Sequence, residues 1–334
     1  MPGATILGCE GFALLPDERQ FFREADPWGF ILFARNIETP EQIRRLTDDL
    51  RDAVGREAPV LIDQEGGRVQ RLRAPHWAEW LPPLEQMSRA GTDAVRSMWL
   101  RYRLIAAELR DVGIDANCAP LADIAGPATH PFLRNRCYGE DVTTVTAASR
   151  AVADGLLEGG VLPVLKHIPG HGRATVDSHL SLPTVTAPLE ELETTDFAVF
   201  RALKDLPMAM TAHIVFPALD GERPATCSPI VMQTIRQDMG FCNLIMSDDI
   251  SMQALAGSLE ERSRLAIAAG CDVILHCNGK RAEMVEVVTA SGRMEGITVE
   301  RGERALAARH APDAADRPAL RAELDRLLAE PVSG

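Results

Sequence analysis

Eight short apolar runs, nearly all followed by a polar or charged residue, restrict the fold of this chain more than any other feature. They are ATILGC (4–9), GFILFA (29–34), PVLID (59–63), IDANCAP (114–120), VLPVLKH (161–167), PMAMTAH (207–213), NLIMSDD (243–249) and CDVILHC (271–277). Near-continuous hydrophobicity over so few residues marks strands buried on both faces. Between them lie stretches with helical period and good helix formers, among them 39–54, 93–113, 141–160 and 189–206, most closed by glycine or a short polar break. Strands alternating with helices build a parallel sheet covered by helices. A doubly wound open sheet shares that alternation, but two observations favour an α/β fold of the single (β/α)8 TIM-barrel type. The count is eight, and the residues closing the strands (Arg35 and Asn36, Asp63, Asp123, Lys166 and His167, His213, Asp248, Asn278) would converge on one mouth. The 334 residues fit one such catalytic domain, 1–334. Its tail, 296–330, reads as two extra C-terminal helices packed on the barrel.

Charge narrows the partners. A formal net charge of -13 and a pI near 5.1 repel nucleic acid and anionic membrane, and no Lys/Arg-rich run offers a local exception. The N-terminal stretch MPGATILGCEGFALLPDERQ has neither a basic n-region nor a sustained apolar h-region, and nowhere do eighteen apolar residues follow one another. A cytoplasmic protein acting on a small molecule is expected, with no membrane or nucleic-acid partner. The seven cysteines are odd in number and scattered, several within apolar runs, which suits buried reduced thiols better than disulfides. No CxxC pair suggests a structural zinc ribbon.

The stretch KHIPGHGRATVDSH (166–179) is dense in chemistry-bearing residues. His167 and His171 have the spacing of a metalloprotease helix, but the intervening Ile-Pro-Gly disfavours a helix and the general-base glutamate is missing. A loop-borne metal site, with ligands from several strands, stays open. Neither GxxxxGK[ST] nor GxGxxG is present. A third reading splits the stretch. Lys166 and His167 end the fifth strand and point into the mouth as fixed donors, and a glycine-bearing loop then carries Asp177 and His179. Two apart on an extended segment, that carboxylate and imidazole lie on one side, and pairing favours a histidine poised to exchange protons near neutrality. For an isolated Asp-x-His, an Asx-turn beside a surface histidine is the plainer reading.

Two further stretches change that balance. LIMSDDISM (244–252) places Asp248 at a strand end, where a carboxylate serves well as a nucleophile towards an electrophilic carbon. Asp249 faces the other way on an extended chain, which favours bonds to following backbone amides, although a second catalytic carboxylate is an alternative. LIDQEGGRVQRL (61–72) sets Asp63 at a strand end with Arg68 and Arg71 beyond a Gly-Gly turn. A carboxylate accepts bonds from two neighbouring sugar hydroxyls, and an arginine clamps a planar or anionic group. Arg134, Asn135 and Arg136 in FLRNRCYGED offer more donors, or a plain salt-bridge network.

Taken together, IDQEGGRVQR, NRCYGED, KHIPGHG, DSH and SDDISM resemble the bacterial β-N-acetylhexosaminidases of glycoside hydrolase family 3, cytoplasmic enzymes of peptidoglycan recycling, from about residue 29 to 278. The resemblance implies a (β/α)8 barrel without cofactor or metal. It would remove terminal N-acetyl-β-D-glucosamine from N-acetylglucosaminyl-anhydromuropeptides with retention, as a monomer. It also implies Asp248 as nucleophile, His179 as general acid/base with Asp177 as its partner, and Asp63, Arg71, Arg136, Lys166 and His167 as sugar-binding residues. Many relatives carry a carboxylate acid/base in a second domain, for which this chain has no room. The usual retaining pair is two carboxylates about 5 Å apart. Alternatives are attack by the substrate's own N-acetyl group assisted by Asp248 and Asp249, a metal-dependent hydrolase, a non-catalytic sugar-binding barrel, and a broader β-glycosidase or phosphorylase. No role beyond shaping the loop is read for His171.

Overall fold

A computed structural model of the chain describes residues 1–176 and 181–329. All eight expected strands form: β1 (Gly3–Gly8), β2 (Pro27–Leu32), β3 (Val60–Ile62), β4 (Ala116–Asn117), β5 (Leu162–Ile168), β6 (Met208–Thr211), β7 (Leu244–Met246) and β8 (Ile274–His276). From β1 to β7 each pairs in parallel with the next in sequence, and β8 pairs with β1. The seam between β7 and β8 is closed more sparsely, by the bridge between Met246 and Val273 and the bonds Asp272 N–H to Ile245 O (2.8 Å) and Ser247 N–H to Val273 O (3.1 Å). The result is a TIM barrel, as the eight apolar runs require. An antiparallel hairpin, Val215–Phe216 with Asp220–Pro224, was not among the expected elements and follows β6.

β4 is much shorter than the run 114–120, because Pro120 has no N–H to give to a ladder. Its carbonyl still serves β5: Val164 N–H donates to Ala119 O, Lys166 N–H to Pro120 O, and Ala122 N–H to Lys166 O, so adhesion continues and delivers Asp123 to the mouth. Large apolar side chains, including Ile6, Leu61, Val164, Met208, Met246 and Leu275, fill the barrel interior. Each such buried side chain is worth about 1.5–3 kcal/mol of transfer free energy.

The surrounding helices begin where the sequence supplies caps. Thr39, Asp141 and Ser258 accept bonds from Gln42, Thr144 and Glu261 amides, opening the helices Pro40–Val54, Val142–Glu158 and Leu259–Ala269. The expected helix 189–206 is instead two, Leu189–Thr194 and Asp196–Ala202, because Thr195 leaves helical geometry at φ -122, ψ -94. At the C-terminal end Ile297–Ala307 lies against the base of the barrel, where Ala305 joins the interior cluster. Arg317–Leu328 follows, with Leu324 in the cluster that contains Leu100 and Leu104. No helix among the described residues is long and apolar enough to cross a membrane. Five of the seven thiols are buried, and all seven are unpaired.

Candidate active site

A cavity of about 260 Å3 opens at the C-terminal ends of the strands and is lined by Asp63, Arg71, Arg136, Lys166, His167 and Asp248. Six of the eight residues singled out from sequence therefore meet in one place. The other two, Asp177 and His179, lie outside the described residues.

One wall is an ion cluster. Asp63 accepts from Arg71 Nη2 at 3.0 Å and from Lys166 Nζ at 3.2 Å. Two residues on, Glu65 faces Lys166 Nζ at 2.5 Å and takes a two-pronged pair from Arg136, Nε at 2.9 Å and Nη2 at 2.8 Å. Burial alone would raise both carboxyls, but the cations outweigh it. Lys166 and Arg71 hold Asp63 far below the usual carboxylate range, and Arg136 with Lys166 lowers Glu65 to about 2. Burial likewise opposes the Lys166 charge, and Glu65 and Asp63 overturn it, pushing the ammonium well above its ordinary value. Three cations against two carboxylates leave this wall one positive charge in excess.

Local sequence builds the wall. Gly66 and Gly67 take φ of +105 and +58, and a Cβ on Gly66 would sit 1.7 Å from the Arg101 guanidinium that donates to Glu65 O. The Gln64 side chain accepts from the Arg71 and Leu72 amides at 2.9 and 3.0 Å, folding the turn so that Arg71 returns to Asp63.

The second wall comes from β4 and β5. Asp123 Oδ2 lies 2.8 Å from His167 Nδ1, and its Oδ1 accepts from the backbone amides of His167 (3.3 Å) and His171 (2.6 Å). Burial opposes ionisation of Asp123, and His167 more than compensates, so Nδ1 donates to a carboxylate. Adjacent strand residues normally face opposite ways, yet Lys166 and His167 both line the cavity. The β5–β6 register slips between Lys166 and Ile168, a bulge that turns His167 to the same side. The His171 ring centroid is 5.3 Å from that of His167, and burial together with His167 lowers its imidazole to about 4. His171 is thus a buried neutral ring within the site.

The segment that leaves β5 is tied down as far as Ala174. Gly170 N–H donates to His167 O, Thr129 Oγ to Gly172 O, and His130 N–H to Ala174 O. A Cβ on Gly172 would lie 1.9 Å from Ile124 O, so this glycine permits close backbone approach.

The floor is Asp248, at the end of β7. Its Oδ1 accepts from Asp249 N–H at 2.7 Å. Burial raises its carboxyl, but the imidazoles of His213 and His167 and the Asp249 amide hold it below the usual range, leaving an anion. Asp249 also reaches the cavity, but its carboxylate is occupied by Ser251 N–H and Oγ–H and by Cys277 N–H. His213 supports the turn from behind, Nε2 donating to Asp249 O at 3.1 Å with Nδ1 2.7 Å from Thr226 Oγ.

Some strand-end residues serve the rim without lining the cavity. Arg35 and Asn36 donate to carbonyls of Cys9, Gly11 and Cys277, and Asn278 pairs with Glu283. Arg134 points away to Gly126 O and Glu140. Glu65 is the residue that sequence reasoning passed over. Its signal was charge: Lys166, Arg71 and Arg136 could not all be buried beside Asp63 alone. Among the described residues no group of three or more His, Cys, Asp or Glu side chains is placed to hold a metal ion.

Known proteins are similar to this chain along most of its length. Residues 17–306 match the glycosyl hydrolase family 3 N-terminal domain. A β-hexosaminidase of Methylococcus capsulatus is 39% identical over 297 residues, covering 84% of this chain and 86% of its own. One from Vibrio cholerae is 37% identical over 296 residues, covering 86% of each. The crystal structure of NagZ from Neisseria gonorrhoeae in complex with N-trifluoroacetyl-D-glucosamine matches with a TM-score of 0.86 at 29% identity, over 98% of both chains. The barrel, its charged mouth and these relatives together make the chain a member of glycosyl hydrolase family 3, a glycoside hydrolase of the β-hexosaminidase kind.

Proposed function

We propose that the protein is a retaining exo-β-N-acetylglucosaminidase that releases the terminal non-reducing N-acetylglucosamine from peptidoglycan-derived muropeptides in the cytoplasm. The observation that carries the reading is an ionised Asp248 on the floor of a cavity whose walls are pre-paired sugar-binding groups. The N-acylglucosamine held by the Neisseria gonorrhoeae relative supports the sugar.

In this reading Asp63 accepts bonds from neighbouring hydroxyls while Arg71, Lys166, Arg136 and His167 donate or orient. Because Glu65 and Asp123 hold those groups in place beforehand, little ordering remains when the sugar enters. Asp248 attacks the anomeric carbon as His179, partnered by Asp177, protonates the departing oxygen, leaving a glycosyl-aspartate. His179, then neutral, takes a proton from water, and the water attacks the same carbon, breaking its bond to Asp248 and releasing the carboxylate. Two inversions give net retention. A neutral Asp248 could not attack, so the Asp249 amide and nearby imidazoles that keep it ionised are part of the chemistry.

A 2-fluoro sugar with a good leaving group tests this directly. The label is expected on Asp248 by peptide mapping, with Asp248→Ala losing on the order of 10⁴-fold in kcat on an aryl N-acetyl-β-glucosaminide. Turnover of the wild type with no trapped adduct would sink the nucleophile assignment in favour of attack by the N-acetyl group. Activity abolished by chelator would indicate the metal-dependent route, and a sugar phosphate product in phosphate buffer would indicate a phosphorylase.

A further inference from the structure

We propose that the buried hydroxyl of Thr226 is a positioning group for the chemical step. With Thr211 it fixes which nitrogen of His213 carries the proton, and His213 in turn fixes the turn that presents Asp248. The inference rests on the reading of Asp248 as nucleophile.

The hairpin that follows β6 finds its use here. Thr211 closes β6, and His213 lies two residues further along the chain. Beyond the hairpin, Ala225 N–H donates to Ile214 O at 2.8 Å, and the short turn Ala225–Cys227 brings Thr226 back against the end of β6. Thr226 Oγ1 then lies 2.8 Å from Thr211 Oγ1 and 2.7 Å from His213 Nδ1, so both side chains meet on one oxygen. All three residues are fully buried, behind the cavity rather than in its lining.

Counting protons sets the direction of these bonds. A carbonyl only accepts, so the 3.1 Å contact with Asp249 O puts a proton on His213 Nε2. Burial holds the His213 imidazole below its ordinary value, so the neutral ring carries that proton alone and Nδ1 is a bare acceptor. Thr226 must supply the hydrogen, and Thr211 donates to the lone pair that Thr226 keeps. Ala212 O, 3.1 Å from Thr226 Oγ1, is the other acceptor within reach, but a hydroxyl turned towards it would face Nδ1 with a lone pair.

At its far end the chain of bonds reaches the nucleophile. Asp249 is gripped by its carbonyl, and its N–H fixes Asp248 Oδ1 at 2.7 Å. Asp248 Oδ2 accepts no hydrogen bond among the described residues and is the oxygen left to attack. Asp63, Lys166 and Arg136, which hold the sugar in this reading, belong to the ion-cluster wall. The relay therefore bears on the reacting atoms and not on sugar binding.

The test is Thr226→Val, which keeps the shape of the side chain and removes the donor to Nδ1. On an aryl N-acetyl-β-glucosaminide, kcat is expected to fall about tenfold, the worth of one misaligned hydrogen bond, while KM moves by less than about twofold. The rate at which a 2-fluoro sugar labels Asp248 falls in step, and Thr226→Ser restores both. Nitrogen-15 spectra of histidine-labelled wild type, with the His213 signals identified by their loss in His213→Asn, are expected to show Nε2 protonated and Nδ1 bare and hydrogen-bonded. In Thr226→Val the Nδ1 signal moves towards that of an unbonded ring. A wild-type ring protonated on Nδ1, or a folded Thr226→Val with unchanged kcat and labelling rate, overturns the relay and leaves Asp248 as nucleophile. Should Thr226→Val fail to fold, the wild-type spectrum decides. An active wild type that takes no label on Asp248 overturns both the nucleophile and the relay that serves it.

Discussion

Glu65 and His171 show how far single side chains of this site are committed before any sugar arrives. Glu65 is 1% exposed between Lys166 and Arg136, so Glu65→Gln keeps the shape but leaves two buried cations undercompensated. A loss of roughly 3–5 kcal/mol in chemical denaturation is expected, with a raised KM as Lys166 and Arg136 lose their alignment. The Glu65 carboxyl is lowered in the fold to about 2, so its contribution is complete above the unfolded value near 4.5 and is lost as pH falls through 2. His171 acts the other way round. Its folded value of about 4 lies below the unfolded 6.5, so the unfolded chain takes up the proton first and stability declines as pH falls from 6.5 to 4, by up to about 3 kcal/mol. Melting curves across that window should flatten in His171→Gln and keep their slope in the wild type. The sequence disclosed Asp63, Arg71, Lys166, His167 and Asp248 because each sits beside a strand end or a glycine turn, and Arg136 through the resemblance carried by NRCYGED. It concealed Glu65 and His171, whose importance lies in neighbours brought from distant parts of the chain.

Among the elements, β5 with the loop that leaves it sets the geometry of the mouth. Apolar runs announced the strands, yet strand periodicity has no signature for the bulge at His167, which depends on how β5 registers against β6. Nor did composition separate a hinge glycine from a packing glycine. KHIPGHG looks pliable, but Gly172 lies where Ile124 O leaves no space for a side chain. Gly172→Ala is therefore expected to cost more than the ~1 kcal/mol of an ordinary glycine replacement, through a forced backbone shift of the kind worth about 1–3 kcal/mol, and to lower kcat as His171 and the segment after it move. Thermal melts and single-turnover rates, measured on one preparation, check both halves of that expectation. The break at Thr195 was illegible for a related reason: its hydroxyl donates to Glu191 O, a choice between helix and turn that the apolar pattern does not record.

At the scale of the whole molecule, the barrel depends on what closes the seam between β7 and β8. Asp272, fully buried, accepts from Ile245 N–H at 2.8 Å and is flanked by Arg236 at 2.6 Å and Arg301 at 2.8 Å, the latter on the helix Ile297–Ala307. Arg301→Ala removes one of two charges facing that carboxylate and should cost about 1–3 kcal/mol in chemical denaturation. Arg304→Ala, one turn along and donating to the exposed Cys242 O, should change little. The eightfold alternation made the barrel readable, whereas the place where it is least well sewn was not, because closure joins residues that periodicity treats as equivalent. Towards the mouth the seam is completed by side chains: Leu275 N–H donates to Ser247 Oγ and Cys277 N–H to the Asp249 carboxylate. The aperture beside Asp248 is thus hemmed with replaceable stitches of side chain. Exchanging one or two residues there would widen or narrow the entrance with no strand shifted in register and the frame beneath unchanged.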